Sequence, residues 1–444
     1  MRYDVILKNG TLVTPSESFK ADIAVKNGKI ARTGKLENDD TADDVYDAAG
    51  KHILPGIIDA HVHFRDPGLC EKEDFESGSM AAAFGGVTTI ADMPNVLPVT
   101  STVRRFDEKL RIAGGKSYID FSLFALLSND NTCEIEGLIK AGAFGFKVFL
   151  GTSTGDIAAP SPAVLYEHMK RIAENGLRTG FHAETGELNA HFTSLCKKKE
   201  NVPEGLLLSE ARPVFSEALA IQTAICYAQY TGAKIHIHHV TSIDGCRLVG
   251  EAKQKGINVT AETCPHYLLL DADHGAYKVY PPIRGQEHRS GLWKALKEGN
   301  IDMIASDHAP HTAVEKALPL WEAQAGLCGV ETFVPLMLNE VNRGSLSLND
   351  FVRLASEAPA KIWGIYPRKG NLLADADADF TVVDMNMKGK ISASEMRSKS
   401  KTTPFDGKDI QGIPVAAVVR GKFIMKDGKL TGEKGFGTFI TPAL

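Results

Sequence analysis

The alternation of apolar and polar positions divides the chain into three stretches. In residues 1–54, short runs alternate in polarity at every second residue and are separated by Lys8-Asn9-Gly10 and Lys26-Asn27-Gly28. A period of two is typical of strands with one buried face, and Asn-Gly favours tight hairpin turns. We therefore predict strands at 3–7, 11–14, 22–26 and 29–33, with hairpins at both Asn-Gly pairs.

After Pro55-Gly56 the pattern changes to apolar runs that alternate with segments of helical period. Repeated strand-then-helix units are typical of a parallel sheet with crossover helices, and eight of them close into a barrel. The predicted strands cover 57–61, 87–92, 119–126, 145–150, 178–182, 234–239, 258–262 and 303–307. The predicted helices include 74–84, 102–112, 161–175, 215–230 and 242–255, with 331–342 and 348–358 outside the barrel.

Strand patterns return after about residue 368, at 378–384, 415–420 and 422–426. We expect these strands to pair with those of the first 54 residues. The predicted fold class is therefore α/β: a (β/α)8 TIM-like barrel over residues 55–367, with a small β-sandwich domain formed from both chain termini, residues 1–54 and 368–434. Residues 435–444 give little signal and are predicted to be a tail.

The composition narrows the class of protein. The chain has 444 residues, a net charge of -5 and 43% hydrophobic residues, which is ordinary for a globular protein. The near-neutral charge without a basic cluster argues against nucleic-acid binding. We also expect no membrane partner, because no apolar run approaches the ~20 residues of a membrane span. Seven cysteines without C-x-x-C spacing, and no signal-peptide pattern, predict free thiols in a cytoplasmic protein.

Residues able to bind a metal ion follow most of the predicted barrel strands. Side chains alternate along a strand, so His61 and His63 share one face, which Arg65 continues. The carboxyl ends of barrel strands meet at one mouth. The predicted metal-binding residues are His61, His63, Lys147, His182, His239 and Asp307. For the first strand alone, the alternative is a half-exposed strand with two surface histidines.

Lys147 is the unusual member of this set. Its ammonium would be repelled by two divalent cations and would lose its proton. A neutral amine can take up carbon dioxide and become a carbamate, an anion able to bridge two metals. We therefore expect two divalent ions, with zinc as the first choice for imidazole and carboxylate ligands, and an N6-carboxylated Lys147 between them. Manganese and cobalt stay open, and the alternative for Lys147 is a salt bridge inside the barrel.

Two such ions would activate a water molecule at neutral pH and polarise a carbonyl group. Asp307 is the predicted catalytic residue, which takes a proton and delivers it to the leaving nitrogen of an amide-like bond. Arg65, Asn95 and His311 are the predicted substrate-binding residues, since a guanidinium fork suits a carboxylate. A small anionic substrate is therefore expected. The alternatives are a rim ion pair for Arg65, a turn role for Asn95 and a loop role for His311.

Several of these residues stand in longer motifs. They are His61-Val62-His63-Phe64-Arg65-Asp66-Pro67-Gly68, Met93-Pro94-Asn95, Gly145-Phe146-Lys147, His239-Val240-Thr241 and Ser306-Asp307-His308-Ala309-Pro310-His311. In these motifs the chain resembles the amidohydrolase superfamily, and within it the dihydroorotases. The resemblance implies a two-zinc site on the six residues above, with Arg65, Asn95 and His311 on the substrate carboxylate. It also implies a homodimer that reversibly hydrolyses the cyclic amide of L-dihydroorotate to N-carbamoyl-L-aspartate in de novo pyrimidine biosynthesis.

Two alternative functions stay open. Tyr280 stands before Pro281-Pro282 where many dihydroorotases have asparagine, and residues 210–217 are similar to those of allantoinases. An allantoinase or hydantoinase-type cyclic amidohydrolase is the first alternative, although its substrates lack the ring carboxylate that Arg65 suits. The alternative of another class is a catalytically inactive, dihydroorotase-like binding partner. The segment 151–157 is interpreted as a lid over the mouth.

Overall fold

The computed structural model describes residues 1–37, 39–151, 157–275 and 277–443, so most of the predicted lid lies outside the described residues. The strands are β1 (Arg2–Val13), β2 (Ser18–Lys26), β3 (Lys29–Gly34), β4 (Thr41–Asp47), β5 (His52–Pro55), β6 (Ile57–Val62), β7 (Val87–Asp92), β8 (Asp120–Leu123), β9 (Ala125–Leu126), β10 (Phe146–Phe149), β11 (Arg178–His182), β12 (Lys234–Ile237), β13 (Val259–Thr263), β14 (Met303–Ile304), β15 (Phe380–Lys390), β16 (Asp409–Val419), β17 (Lys422–Lys426) and β18 (Lys429–Leu430). The helices are α1 (Phe75–Phe84), α2 (Val103–Lys116), α3 (Ile135–Lys140), α4 (Pro162–Glu174), α5 (Gly186–Cys196), α6 (Glu204–Ala211), α7 (Val214–Thr231), α8 (Ile243–Gln254), α9 (Pro265–Leu269), α10 (Gln286–Glu298), α11 (Ala313–Lys316), α12 (Phe333–Asn342), α13 (Leu348–Val352) and α14 (Ala358–Ile362).

Parallel strands and helices alternate from β6 to β14, as predicted. Strands β6, β7 and β8 pair in that order, and β9 to β14 pair in chain order. Only Phe124 separates β8 from β9, so the two form one barrel strand. A parallel bridge between Val62 and His308 brings the segment after β14 beside β6. The predicted (β/α)8 barrel is therefore confirmed, and its strands are buried because helices cover them outside and side chains fill the interior.

Both chain ends contribute to one nine-stranded sheet, in the order β18-β17-β16-β15-β5-β1-β2-β3, with β4 beside β1. Strand β5 is the junction, because it pairs parallel with β1 and antiparallel with β15. The core under this sheet mixes Leu7 and Ile53 with Phe380 and Val418. The composite β domain is therefore confirmed, while its exact bounds at residues 54 and 368 stay a prediction.

One predicted hairpin is wrong. Strand β1 runs straight through Lys8-Asn9-Gly10, and its register with β2 shifts between Leu7 and Gly10, which is a β-bulge. Asn9 adopts a left-handed conformation (φ 63°), and its backbone N–H donates to Asp22 Oδ1 at 2.8 Å. The second Asn-Gly pair forms the predicted hairpin between β2 and β3.

The predicted helices agree with the structure to within a few residues, except that a π-helical turn at Arg353–Glu357 divides the last one into α13 and α14. Helix α1 begins where expected because Asp74 and Ser77 form a capping box. Helices α5 and α6 were not predicted, because their apolar residues do not keep to one face. None of the described helices is long and apolar enough to cross a membrane.

Buried charges connect the barrel to the terminal sheet. Lys369 is almost fully buried, and its Nζ lies 2.8 Å from Asp120 in β8, 3.2 Å from Asp377, and in contact with Asp379 ahead of β15. The predicted tail also packs on the barrel: Ile440 is fully buried, its N–H donates to the Phe121 carbonyl at 2.8 Å, and its own carbonyl accepts from Ser122 Oγ at 2.7 Å.

Candidate active site

The barrel mouth gathers the polar residues that the sequence places at strand ends. His61, Lys147 and His182 lie in β6, β10 and β11, and His239 and Asp307 follow β12 and β14. The six predicted metal-binding residues line one small pocket of about 40 Å³, together with Arg65 and Asn95. All of these side chains are buried. His311 does not line this pocket and lies behind Arg65, with 3.3 Å between its Nε2 and Arg65 Nη2.

The backbone is strained where three of these side chains turn into the pocket. Arg65, His239 and Asp307 have positive φ angles of 62°, 40° and 46°. Such conformations cost on the order of 1–3 kcal/mol each for non-glycine residues and cluster at functional sites. The sharp turns after three barrel strands therefore aim one guanidinium, one imidazole and one carboxylate at the same space.

His61 and His63 present lone pairs to the carboxylate of Asp307. His61 Nδ1 is hydrogen-bonded to Glu262 Oε1, and His63 Nδ1 lies 2.7 Å from Asn95 Oδ1. Because these partners accept, each Nδ1 carries the proton and each Nε2 keeps a lone pair. Both Nε2 atoms lie 3.3 Å from Asp307 Oδ1, so acceptors face an acceptor. A cation between them resolves the repulsion, and the donor set fits a divalent metal.

A second pair of imidazoles lies across the pocket. His182 Nε2 donates to Glu184 Oε2 at 2.9 Å, which leaves its Nδ1 as an acceptor at hydrogen-bond distance, 3.0 Å, from His239 Nε2. Burial lowers the pKa of His182 and holds that of His239 well below its usual range, so neither ring is a cation. His239 Nδ1 has no protein partner among the described residues. Two neutral imidazoles at this spacing are suited to bind a second metal ion.

Lys147 lines the same pocket as these two groups. Its Nζ is fully buried and has no hydrogen-bond partner in the described parts of the chain, and it stands 5.1 Å from the Phe149 ring centroid. Burial lowers the pKa of Lys147 to about 7, against the attraction of Glu262 and Asp307. No carboxylate of the described residues forms a salt bridge with Lys147, so the geometry does not support the alternative of a barrel salt bridge.

Arg65 is a buried cation with an unused donor. Its Nε donates to the Pro310 carbonyl at 3.2 Å, whereas Nη1 has no partner among the described residues. Burial lowers the pKa of Arg65 to about 10, where it is still protonated at neutral pH. Asp66, at the rim, pairs instead with Lys116 at 2.7 Å. The free donor at the pocket wall therefore suits an anionic group on a ligand.

His311 supports this wall from behind. Its Nδ1 lies 3.4 Å from Lys72 Nζ, and its Nε2 lies 3.1 Å from the Ala325 carbonyl. The neutral tautomer that satisfies both contacts accepts from Lys72 and donates to Ala325. Burial lowers the pKa of His311 to about 2, which keeps it neutral beside Arg65. Both ring nitrogens are thus used within the protein.

Two buried glutamates complete the site and were missed in the sequence. Glu262 in β13 binds His61, and also His236 Nε2 and His238 Nδ1, each at 3.0 Å. Glu184 follows β11 and holds His182. Both stand at the ends of barrel strands, so the rule that found the metal-binding residues could have found them too. They fix ring orientation and tautomer, as carboxylates behind metal-binding histidines commonly do.

Comparisons with known proteins agree with this architecture. A solved structure of L-hydantoinase (dihydropyrimidinase) from Arthrobacter aurescens has a TM-score of 0.95 and 38% identity, and the match covers 99% of this chain and 100% of that one. An allantoinase from Deinococcus radiodurans is 35% identical, over 97% of both chains. A dihydroorotase from Methanothermobacter thermautotrophicus is 34% identical, over 99% of this chain and 97% of its own length.

The family assignment rests on the same span as the barrel and the predicted metal-binding residues. Residues 52–424 match the amidohydrolase family. This range contains every barrel strand and the paired strands β5 and β15. The chain therefore belongs to the amidohydrolase family.

Proposed function

We propose that this protein is a metal-dependent cyclic amidohydrolase that opens the ring of a small cyclic ureide. The observation that carries the proposal is the facing of lone pairs at His61, His63 and Asp307, with His182 and His239 lining the same pocket. A cation among these groups would turn the repulsion of facing acceptors into coordination. The intact set argues against the inactive binding partner.

The residues divide the work as follows. His61, His63, His182, His239 and Asp307 would hold two divalent ions, with zinc as the first choice. When bound, such ions supply water activation and carbonyl polarisation. Asp307 carries the proton: its carboxylate takes it from the attacking water and gives it to the ring nitrogen that leaves.

Lys147 would be N6-carboxylated. Its neutral Nζ would form a bond to the carbon of carbon dioxide and lose one proton to water, which would give a carbamate anion in the pocket that the histidines line. Protein incubated with ¹³C-bicarbonate and zinc should show one carbamate resonance by NMR. Lys109 is equally buried but its Nζ is held by Asp92 and the Met93 carbonyl, so it should give no carbamate resonance and serves as an internal comparison. A resonance that persists in Lys147→Met would refute this assignment.

L-Dihydroorotate is the first candidate substrate, and Arg65 is the reason. A buried guanidinium with a free Nη1 at the wall of a metal pocket needs an anion, and dihydroorotate carries a ring carboxylate. The product would be N-carbamoyl-L-aspartate, as in pyrimidine biosynthesis. Hydantoins and allantoin form the second candidate class. The relatives favour this second class, because an L-hydantoinase and an allantoinase are the more similar in sequence.

One assay separates the candidates. Purified protein should be given L-dihydroorotate, hydantoin and allantoin, before and after treatment with a chelator. If Arg65 binds the carboxylate, Arg65→Met should lose about 2–5 kcal/mol of transition-state binding for dihydroorotate and little for the neutral rings. Faster turnover of hydantoin or allantoin, unchanged in Arg65→Met, would select the second class.

The remaining features of the proposal follow from less specific observations. All seven cysteines are free in the structure, which supports a reducing, cytoplasmic location. Assembly as a homodimer is proposed from the family resemblance alone. Nucleic-acid and membrane partners are not expected from the composition.

A further inference from the structure

Tyr280, which stands where many dihydroorotases have asparagine, forms part of the pocket wall. It follows α9 and lines the pocket with His182, His239 and Phe149. Beyond Asp307, the lining residues on the segment after β14 are small: Ala309, Ala325 and Gly326. Apart from the histidines, Tyr280 and Phe149 are the aromatic rings among the described residues that line this pocket, and Tyr280 is partly exposed.

The Tyr280 ring is held in place by Arg212. The guanidinium carbon of Arg212 lies 3.6 Å from the ring centroid, the distance of a close cation–π stack. Arg212 is itself buried and binds both carboxylate oxygens of Glu184, with Nε at 2.8 Å from Oε1 and Nη2 on Oε2. A bidentate pair of this kind fixes the plane of the guanidinium. The ring therefore has a rigid support on one face.

The support also connects the wall to the metal-binding residues. Glu184 accepts from Arg212 and from His182 Nε2. The same carboxylate thus contacts a predicted metal-binding imidazole on one side and the support of Tyr280 on the other.

We propose that Tyr280 is a specificity-determining residue: its ring, fixed on Arg212, is the surface against which the planar ureide part of the substrate ring lies. This inference rests on the proposed function and deepens it. A rigid aromatic wall selects cyclic ureides, because their conjugated N–CO–N–CO atoms present a flat face. Stacking is insensitive to a substituent carboxylate, whereas Arg65 recognises that group. Tyr280 and Arg65 therefore contribute to binding independently.

The test uses two flat rings that differ by one carboxylate, orotate and uracil, on the zinc-loaded protein. Dissociation constants are measured by calorimetry for wild type, Tyr280→Phe, Tyr280→Ala and Arg65→Met, and zinc content is measured for each. We expect Tyr280→Ala to raise the dissociation constants of both ligands about tenfold and Tyr280→Phe to leave them unchanged. Arg65→Met should raise the dissociation constant of orotate alone.

A matched control is Tyr366→Ala, since Tyr366 also has a cation over its ring, Lys361 at 4.9 Å, but does not line the pocket. It should leave both dissociation constants unchanged. The inference would be overturned if Tyr280→Ala, at full zinc content, bound orotate and uracil with the same dissociation constants as the wild type. If the wild type bound orotate and uracil equally, the proposal that Arg65 binds a carboxylate would be contradicted. The Tyr280→Ala result would still test the role of Tyr280. A wild type that binds neither ring overturns both.

Discussion

At the residue scale, the capacity of the barrel mouth to hold a metal ion depends on the groups that orient its histidines. Glu262 contacts three of these rings. One fully buried carboxylate serves three imidazoles, among them His61. In Glu262→Gln an amide donor can meet His61 Nδ1, which shifts the ring proton to Nε2, the atom that faces Asp307. We expect zinc affinity to fall 10–100-fold, as for other partners of metal-binding histidines.

Zinc titration of the apoprotein measures this change without any assay of turnover. Glu340→Gln is a suitable control, because Glu340 is buried and accepts from Ser345 Oγ at 2.8 Å, away from the pocket. Wild-type zinc affinity in Glu262→Gln would show that the carboxylate serves packing alone.

The convergence of the predicted metal-binding residues in one pocket could be foreseen, because each stands at or near the end of a strand whose neighbours are dictated by the barrel. Asp307 and His61 needed no knowledge of contacts, only of the convergence of strand ends. Arg212 and Tyr280 could not be found in this way. Both lie in connecting segments between elements, and their stacking depends on how two loops pass each other.

At the scale of elements, a buried carboxylate just before α12 makes the stability of the fold depend on pH. Glu331 accepts from the Arg397 backbone N–H at 2.6 Å, while its ion pair with the Arg397 side chain is long, at 3.7 Å. Burial raises the pKa of Glu331 to about 7 from 4.5. Since the folded value is the higher one, its stabilising contribution is complete below about pH 4.5 and is lost as pH rises through 7.

Glu331→Gln should therefore match the wild-type free energy of unfolding near pH 4.5 and exceed it by up to about 3 kcal/mol at pH 8. Urea denaturation at both pH values gives the two differences. Glu37→Gln, at an exposed carboxyl, controls for the loss of one charge. A difference independent of pH would contradict the buried position assigned to this carboxyl.

Helices and hairpins were predictable where their capping or turn residues alone determine the local conformation. They were not predictable where pairing with a strand distant in sequence determines it. Helix α1 has its capping box in the sequence, and the Lys26-Asn27-Gly28 hairpin has its turn. Lys8-Asn9-Gly10 has the same local signal, yet β4 and β5 pair along β1 on both sides of it and keep the strand continuous. The same dipeptide therefore makes a bulge in one place and a hairpin in the other.

For the whole molecule, the cluster at Lys369 determines whether barrel and sheet are stable together. Asp120, Asp377 and Asp379 surround one buried ammonium. Lys369→Met would leave these carboxylates buried without their shared cation, and we expect a loss of about 3–5 kcal/mol. Chemical denaturation measures the loss.

Lys434→Met is the matched control, because Lys434 and Glu76 form a half-exposed pair that contributes about 1 kcal/mol or less. Equal stabilities for the two variants would mean that the Lys369 cluster does not hold the barrel and the sheet together.

The junction strand β5 has a consequence for biosynthesis. Its partner β1 leaves the ribosome before it, but its other neighbour, β15, is made only after the whole barrel. Until then the edge of β5, with Ile53 and Leu54, stays unpaired on a nascent chain. Contacts so distant in sequence form slowly, and open strand edges invite mispairing. A molecular chaperone that shields this edge during translation would raise the yield of active protein more than one that acts after release.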